Sequence, residues 1–335
     1  MVVVTVAGSP VERDVDLPSV VRERLEAFAG GVLAEAMNRP VQRVNGGLYL
    51  RGLLEDGARK SLEPLVARLG EEADYQSMQQ FVADSPWDPT AVVEAVAVRV
   101  APVIGVEAWV LDDTGFPKDG KDSPGVKRQY SGTLGKTGNC QIGVSVHAVG
   151  ARGAVPLGWA LYLPEDWCED PERRRKAKIP AAVQFKTKSE LGVELVERAC
   201  GWDLSLAPVL GDQAYGENSW LRDRLHEAGC EYVLAVGPKA KVFEQGTTFA
   251  VPAKKPGASR APVHPRPDRQ PTPIGEFIHD LASDANIVTF RDGPNGEPVT
   301  SRFIIARVHA GHGWRESEGW TGWRERSEVP HARNG

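Results

Sequence analysis

The sequence lacks the features that mark a zinc-binding, secreted or membrane-spanning protein. Its four cysteines form no CxxC pair and have no histidine at zinc-finger spacing, so we expect reduced thiols and no structural zinc. The longest apolar stretch, residues 91–106, is interrupted by Glu94 and Arg99, and the valine-rich amino terminus has no basic leader. We therefore expect a cytoplasmic protein that does not enter a membrane.

The chain also lacks a surplus of positive charge. Forty Lys and Arg residues against 45 Asp and Glu residues give a formal net charge of -5 at pH 7. This excludes a uniformly basic nucleic-acid coat, but it allows a local basic groove, because basic residues gather in 118–136 and 239–269. The 335 residues, 41% of them hydrophobic, suffice for one large core and a smaller unit.

Hydrophobic periodicity predicts an α/β protein with helices first. Helical spacing of apolar residues occurs in four amino-terminal segments, 17–37, 60–69, 75–82 and 89–100. Strand-like runs follow at 108–111, 140–149, 155–162, 209–210 and 232–236. Helical patterns at 190–200 and 219–227 separate the later strands, which predicts a mixed sheet. Short strand-like pieces return at 287–290 and 303–308.

These patterns divide the sequence into four predicted parts. We expect an α-helical domain in 1–100, an α/β core in 101–238, a β-rich insertion region in 239–310, and an irregular tail in 311–335.

Three aspartates lie next to predicted strands. Asp112 and Asp113 directly follow the apolar run 109–111, and Asp212 follows 208–211. Carboxylates at the carboxyl ends of neighbouring strands can share Mg²⁺ or Mn²⁺, which suits phosphodiester chemistry. The alternative is that they cap helices or turns. Asp112 and Asp113 do not suit an aspartyl phosphatase, whose two acids are separated by one residue.

A glycine-rich cationic segment, 118–139, lies between the acidic positions. Its basic and polar residues suit phosphate neutralisation, and Tyr130 suits stacking on a base, although a solvated hairpin has the same composition. The end of the segment imitates a P-loop but lacks the first glycine and precedes a strand-like run, so we exclude an ATPase. His147 lies in that run and is typical of a core or surface histidine.

Five segments occur in a characteristic order: GLLEDGARKSLEP (52–64), MQQFVADSPWD (78–88), VLDDTGFPK (110–118), GVKRQYSG (125–132) and GDQAYG (211–216). Together they resemble the transposases of the IS701 group, and the resemblance covers residues 20–310. It implies a DDE endonuclease domain of ribonuclease H-like fold, with amino-terminal helices that grip the transposon ends.

The resemblance also implies DNA strand cleavage and transfer with two Mg²⁺ or Mn²⁺ ions held by an Asp-Asp-Glu triad. The first acid corresponds to Asp113, with Asp112 as the alternative, and the second corresponds to Asp212. The expected partners are transposon ends and target DNA, bound by a homodimer. The DNA-contact candidates are Lys118, Lys127, Arg128, Gln129, Tyr130 and Lys136.

The third acid of the triad has no clear match. The tail contains Glu316, Glu318, Glu325 and Glu328, but none lies in a helical apolar pattern. We therefore expect a chain truncated at its carboxyl terminus and impaired in catalysis. Two other readings remain: a transposase-derived DNA-binding protein that does not cut, and a metal-dependent hydrolase of a smaller phosphoester, which would leave the helices and cationic segment without a role.

Overall fold

The computed structural model describes residues 19–311 except 56, 58 and 294. Within these residues the chain forms two compact units, the first of residues 19–211 and 224–233 and the second of residues 212–223 and 234–311. Of the described helices, none is long and apolar enough to cross a membrane.

The first unit begins with helices, as the sequence predicts. They are α1 (Ser19–Ala36), α2 (Pro40–Leu54), α3 (Leu62–Leu69), α4 (Tyr75–Ala83) and α5 (Pro89–Ile104). Sequence periodicity did not predict α2, whose interior Gly46 and Gly47 lower helix propensity. Gly46 nevertheless lies in a tightly packed position, because a Cβ there would lie 3.2 Å from a methyl group of Leu33.

A small hydrophobic core joins α1 to α4. It contains Leu33, Met37, Leu65, Met78 and Phe81, all buried. Trp87 packs against this core. Its ring stacks on Phe81 with ring centroids 5.7 Å apart, and its Nε1–H donates a hydrogen bond to the Phe81 carbonyl oxygen at 3.1 Å.

A six-stranded mixed sheet follows the helices. Its strands are β1 (Val106–Pro117), β2 (Lys127–Ser131), β3 (Lys136–Gly150), β4 (Gly153–Tyr162), β5 (Val209–Gly211) and β6 (Tyr232–Leu234). The order is β2-β3-β1-β5-β6, and β4 also pairs with β3. Strand β1 pairs antiparallel with β3 and parallel with β5. The prediction of a mixed α/β structure with amino-terminal helices is thus confirmed.

The later helices of the first unit are α6 (Glu165–Glu169), α7 (Pro171–Lys176) and α8 (Lys188–Cys200). Helix α9 (Gln213–Gly216) belongs to the second unit, and α10 (Ser219–Glu227) crosses the division between the units. Helix α8 packs against β3 and β4. It also lies close to β1, because a Cβ at Gly192 would be 2.8 Å from Leu111 Cδ1. The side chains of β1 that face α8 are therefore those of Trp109, Leu111 and Asp113, since strand residues alternate between faces.

Two strand predictions differ from the structure. The sequence pattern ended the first strand at Leu111, whereas β1 continues through Asp112 and Asp113 to Pro117, because β3 supplies backbone partners along this whole length. The predicted strand at 303–308 is wrong. Strand β12 (Pro298–Phe303) ends where it was expected to begin, and residues 304–307 belong to no strand.

The second unit consists of short elements around three small sheets. Its remaining elements are β7 (Lys241–Glu244), β8 (Phe249–Ala250), β9 (Arg266–Pro267), β10 (Thr272–Pro273), α11 (Ile274–Asp280), β11 (Asn286–Asp292) and β13 (Val308–Ala310). Strand β7 pairs with β10 and β13, β11 pairs with β12, and β8 pairs with β9.

The contact between α8 and β1 gives a stability prediction. Replacing Gly192 by Ala places a methyl group against the buried Leu111, so we expect the free energy of unfolding to fall by about 1–3 kcal/mol. Gly30→Ala is the matched control, because Gly30 lies in α1 with no atom within 4 Å of its Cβ position and should gain up to about 1 kcal/mol. Urea unfolding measures both, and a stabilised Gly192→Ala protein would show that α8 lies farther from β1.

Candidate active site

Asp113 lies in the middle of β1, on the face covered by α8. Its side chain is only 17% exposed, and its Oδ2 accepts a hydrogen bond from Lys188 Nζ at 2.7 Å. A partly buried carboxylate needs a counter-charge, since removal from water disfavours the charged form. Lys188 supplies that charge.

The local sequence fixes the position of Lys188. Thr187 is the N-cap of α8, where its Oγ1 accepts the Glu190 N–H at 3.2 Å and Glu190 Oε2 accepts the Thr187 N–H at 2.7 Å. This capping box starts the helix at Lys188. The hydrogen bonds that Glu190 Oε2 accepts from the Thr187 backbone N–H and from the Thr187 hydroxyl lower the pKa of Glu190. Lys188 Nζ also lies 6.0 Å from the ring centre of Tyr162.

Asp112 lies on the opposite face of β1. It is exposed, and its Oδ1 accepts the backbone N–H of Asp113 at 2.7 Å. The neighbouring side chains on this face of the sheet include Phe116 and Trp159, whose ring centres are 6.3 Å apart. Asp112 and Asp113 are therefore directed to different environments, and only Asp113 meets Lys188.

Asp212 is the first residue after β5. It is the N-cap of α9, and its Oδ1 accepts the backbone N–H groups of Ala214 at 2.9 Å and Tyr215 at 3.4 Å. The last residue of β5, Gly211, pairs in parallel register with Leu111 of β1. The parallel pairing thus stops one residue before Asp212 on one strand and two before Asp113 on the other. The capping role that the sequence suggested as an alternative is present here.

The cationic segment forms a β-hairpin that turns back onto β1. Strand β2 pairs with the first residues of β3, and the turn connects Ser131 to Lys136. Gly115 donates its N–H to Thr133 Oγ1 at 3.2 Å, and a Cβ on Gly115 would lie 1.9 Å from Ser131 Oγ. A glycine is therefore required two residues after Asp113. Because Lys136 begins a strand and not a helix, the exclusion of a P-loop is confirmed.

The six DNA-contact candidates occupy unequal positions on this hairpin. Arg128 and Tyr130 share one face of β2, and Tyr130 is 64% exposed. Lys127 Nζ instead contacts Asp166 Oδ1 at 3.0 Å, and Gln129 Nε2 donates to the Cys140 carbonyl oxygen at 3.0 Å. Lys118 and Lys136 are exposed. Of the six candidates, Lys127 and Gln129 are thus held by contacts within the protein, although Lys127 is also exposed.

The segment that leads into β2 is held by an aromatic contact. Trp167, buried in α6, donates its Nε1–H to the Val126 carbonyl oxygen at 2.8 Å. The Arg173 guanidinium lies 3.5 Å from the centre of the Trp167 ring, in a cation–π contact. The base of the hairpin is therefore fixed to helices α6 and α7.

Among the described residues, no group of three or more His, Cys, Asp or Glu side chains could hold a metal ion. The four thiols are free; Cys200 Sγ lies 3.5 Å from Cys230 Sγ, and burial together with this contact raises the pKa of Cys200 to about 12. His147 packs edge-on against Trp159, and burial lowers the pKa of the His147 imidazole. The tail glutamates Glu316, Glu318, Glu325 and Glu328 lie outside the described residues.

The donor chemistry of Asp113 and Asp212 nevertheless fits a divalent cation. Carboxylate oxygens are the ligands that Mg²⁺ and Mn²⁺ prefer. Asp113 already binds one positive group, the Lys188 ammonium, in a partly enclosed position. Sequence reasoning missed Lys188, although the Thr187-Lys-Ser-Glu190 pattern signals a helix start that places this lysine first.

The close approach at Gly115 can be tested by repair. Gly115→Ala should destabilise the protein by about 1–3 kcal/mol, because the added methyl group collides with Ser131. Adding Ser131→Gly removes the colliding atoms and should recover most of the loss. Gly132→Ala is the control, since its Cβ position has no atom within 4 Å. Urea unfolding of the single and double variants measures the repair; equal stability of both would contradict the contact.

The chain is similar to known proteins over most of its length. The sequence model of the DDE superfamily endonuclease family matches residues 32–297, which is more than half of the chain. A probable transposase for insertion sequence element IS701 from Microchaete diplosiphon is 29% identical over 192 residues. That alignment covers 55% of this chain and 46% of the relative, so the chain matches about half of the relative's length. The resemblance found in the sequence is thereby confirmed, and the chain belongs to the DDE superfamily endonucleases.

Proposed function

We propose that the protein is a DDE transposase that cleaves DNA strands and transfers them in a metal-dependent reaction, on a ribonuclease H-like core. The observation that carries the proposal is the register of β1 and β5. Gly211 pairs in parallel register with Leu111, so Asp212 follows this pair by one residue on its chain and Asp113 follows it by two. Family membership supplies the reaction class.

In this proposal Asp113 and Asp212 are the metal ligands, with Asp112 as the less suited alternative. Asp113 is preferred because it is partly enclosed and faces α8, whereas Asp112 is exposed on the other face of the strand. When bound, Mg²⁺ or Mn²⁺ supplies Lewis-acid stabilisation of the phosphodiester oxygens. The protein's part is to hold the two carboxylates. The N-cap hydrogen bonds to Asp212 Oδ1 orient that side chain.

The hairpin is the proposed DNA contact. Arg128 and Lys136 suit backbone phosphates, and Tyr130 suits a base or sugar, because all three are exposed. Lys118 is a further phosphate candidate, whereas Lys127 and Gln129 would act mainly by holding the hairpin in shape. The amino-terminal helices would bind transposon ends, and pairing two ends on target DNA would require a homodimer.

The first test is Mn²⁺-dependent nicking of supercoiled DNA. Asp113→Asn and Asp212→Asn should each lower the nicking rate at least about 100-fold, since even residues that only support a metal ligand contribute about 10- to 100-fold. Asparagine keeps the size of the side chain and, at 212, the capping ability. Asp122→Asn is the control, because Asp122 is an exposed aspartate paired with Lys176 at 2.9 Å.

Three outcomes of this test have different meanings. Nicking that survives both substitutions would contradict the assignment of the two aspartates. Binding of DNA by the wild-type protein without nicking would favour the non-catalytic DNA-binding protein. Hydrolysis of small phosphoesters without DNA binding would favour the hydrolase.

The second test concerns the hairpin. Arg128→Ala and Lys136→Ala should each reduce the slope of log affinity against log salt by about one, because each is proposed to neutralise one phosphate. Lys176→Ala is the control: this lysine is exposed and already paired with Asp122. Fluorescence anisotropy over a salt series measures the slope, and an unchanged slope in both hairpin variants would remove the hairpin from the interface.

A further inference from the structure

We propose that Lys188 is a positioning residue that occupies the cation position of Asp113 in the absence of metal and competes with the divalent ion for this carboxylate. The inference rests on the proposed metal site, but it concerns a residue that the catalytic assignment does not include. It predicts that metal binding is weakened by the protein's own ammonium group.

The geometry of the contact supports this role. Lys188 Nζ lies 2.7 Å from Asp113 Oδ2, at 32% and 17% side-chain exposure, so the pair is more enclosed than the other ion pairs of α8. Lys186, two residues earlier, pairs with Glu194 at 2.6 Å, with both side chains at least 42% exposed. The two lysines are close in sequence and equal in charge, but only Lys188 contacts a proposed ligand.

The start of α8 places Lys188, the first residue of the helix, beside Asp113. The Thr187–Glu190 capping box fixes the first turn of α8, which holds the Lys188 backbone beside β1. The side chain above it can still turn away, because a third of it is exposed. A divalent ion at Asp113 would repel the ammonium, so ion binding and the Lys188–Asp113 contact compete at this carboxylate.

The Lys188–Asp113 contact should also stabilise the metal-free protein. A carboxylate that is 17% exposed is unfavourable without a partner, so Lys188 should stabilise the fold until the metal replaces it. Loss of Lys188 should therefore have two linked effects: lower stability without metal, and tighter metal binding, since the metal then relieves the unpaired carboxylate.

Isothermal titration of the full chain with MnCl₂ tests the competition. Lys188→Met should bind Mn²⁺ about fivefold more tightly than the wild type, as expected for the loss of a partly exposed ion pair. Lys188→Arg, which keeps the charge, and Lys186→Met, which removes a nearby charge, should stay within about twofold of wild type. If Lys188→Met does not fold, Lys188→Gln serves in the same comparison.

Thermal unfolding gives the second measurement. Without metal, Lys188→Met should melt below the wild type, and saturating Mn²⁺ should close most of that gap; Lys186→Met should show neither effect. Unchanged or weaker Mn²⁺ affinity in Lys188→Met, equal tightening in Lys186→Met, or Mn²⁺ binding by none of the proteins would overturn the inference. Tighter Mn²⁺ binding without any DNA nicking would retain the role of Lys188 and reject the transposase reaction.

Discussion

The antiparallel pairing of β1 with β3 is the constraint on which the site depends. It extends from Val106 to Pro117 and carries the backbone through both aspartates in an extended conformation. Strict alternation along this strand then sends Asp113 toward α8 and Asp112 to the other face. On the other edge of β1, the pairing with β5 ends at Leu111. Asp112 and Asp113 therefore lie in a part of β1 that still pairs with β3 but no longer pairs with β5.

Most elements could be predicted from the sequence, because their apolar residues repeat with the period of a helix or strand. Helix α4 and the centres of β3 and β4 are examples. The end of β1 could not be predicted in this way. Asp112, Asp113 and Gly115 are unfavourable in strands by composition, and only pairing with the distant β3 keeps them extended. Helix α2 was missed for a related reason, since its glycines lower helix propensity and the close approach of Gly52 to Leu65 is visible only in the fold.

The sequence names candidate acids but not their surroundings. Motif order singles out Asp113, Asp212 and the basic segment, and their roles stay predictions. The contact of Ser131 with Gly115 and the ion pair of Asp113 with Lys188 could not be predicted, because they join residues far apart in the chain. The first contact explains why the segments 110–118 and 125–132 belong together as a signature. A larger residue at position 115 would demand a smaller one at 131.

The short parallel pairing of β5 has a consequence for the order of folding. Strands β1 to β4 follow one another in sequence: residues 118–135, which contain β2, join β1 to β3, and only residues 151–152 separate β3 from β4. Strand β5 reaches β1 only after almost a hundred intervening residues, and it contributes three register pairs. A loop of this length closes slowly, and only three residue pairs with β1 stabilise the closed state. We therefore expect β5 to pair with β1 after the antiparallel strands and α8 have formed. A nascent chain would thus hold Asp113 beside Lys188 before the strand that leads to Asp212 has docked.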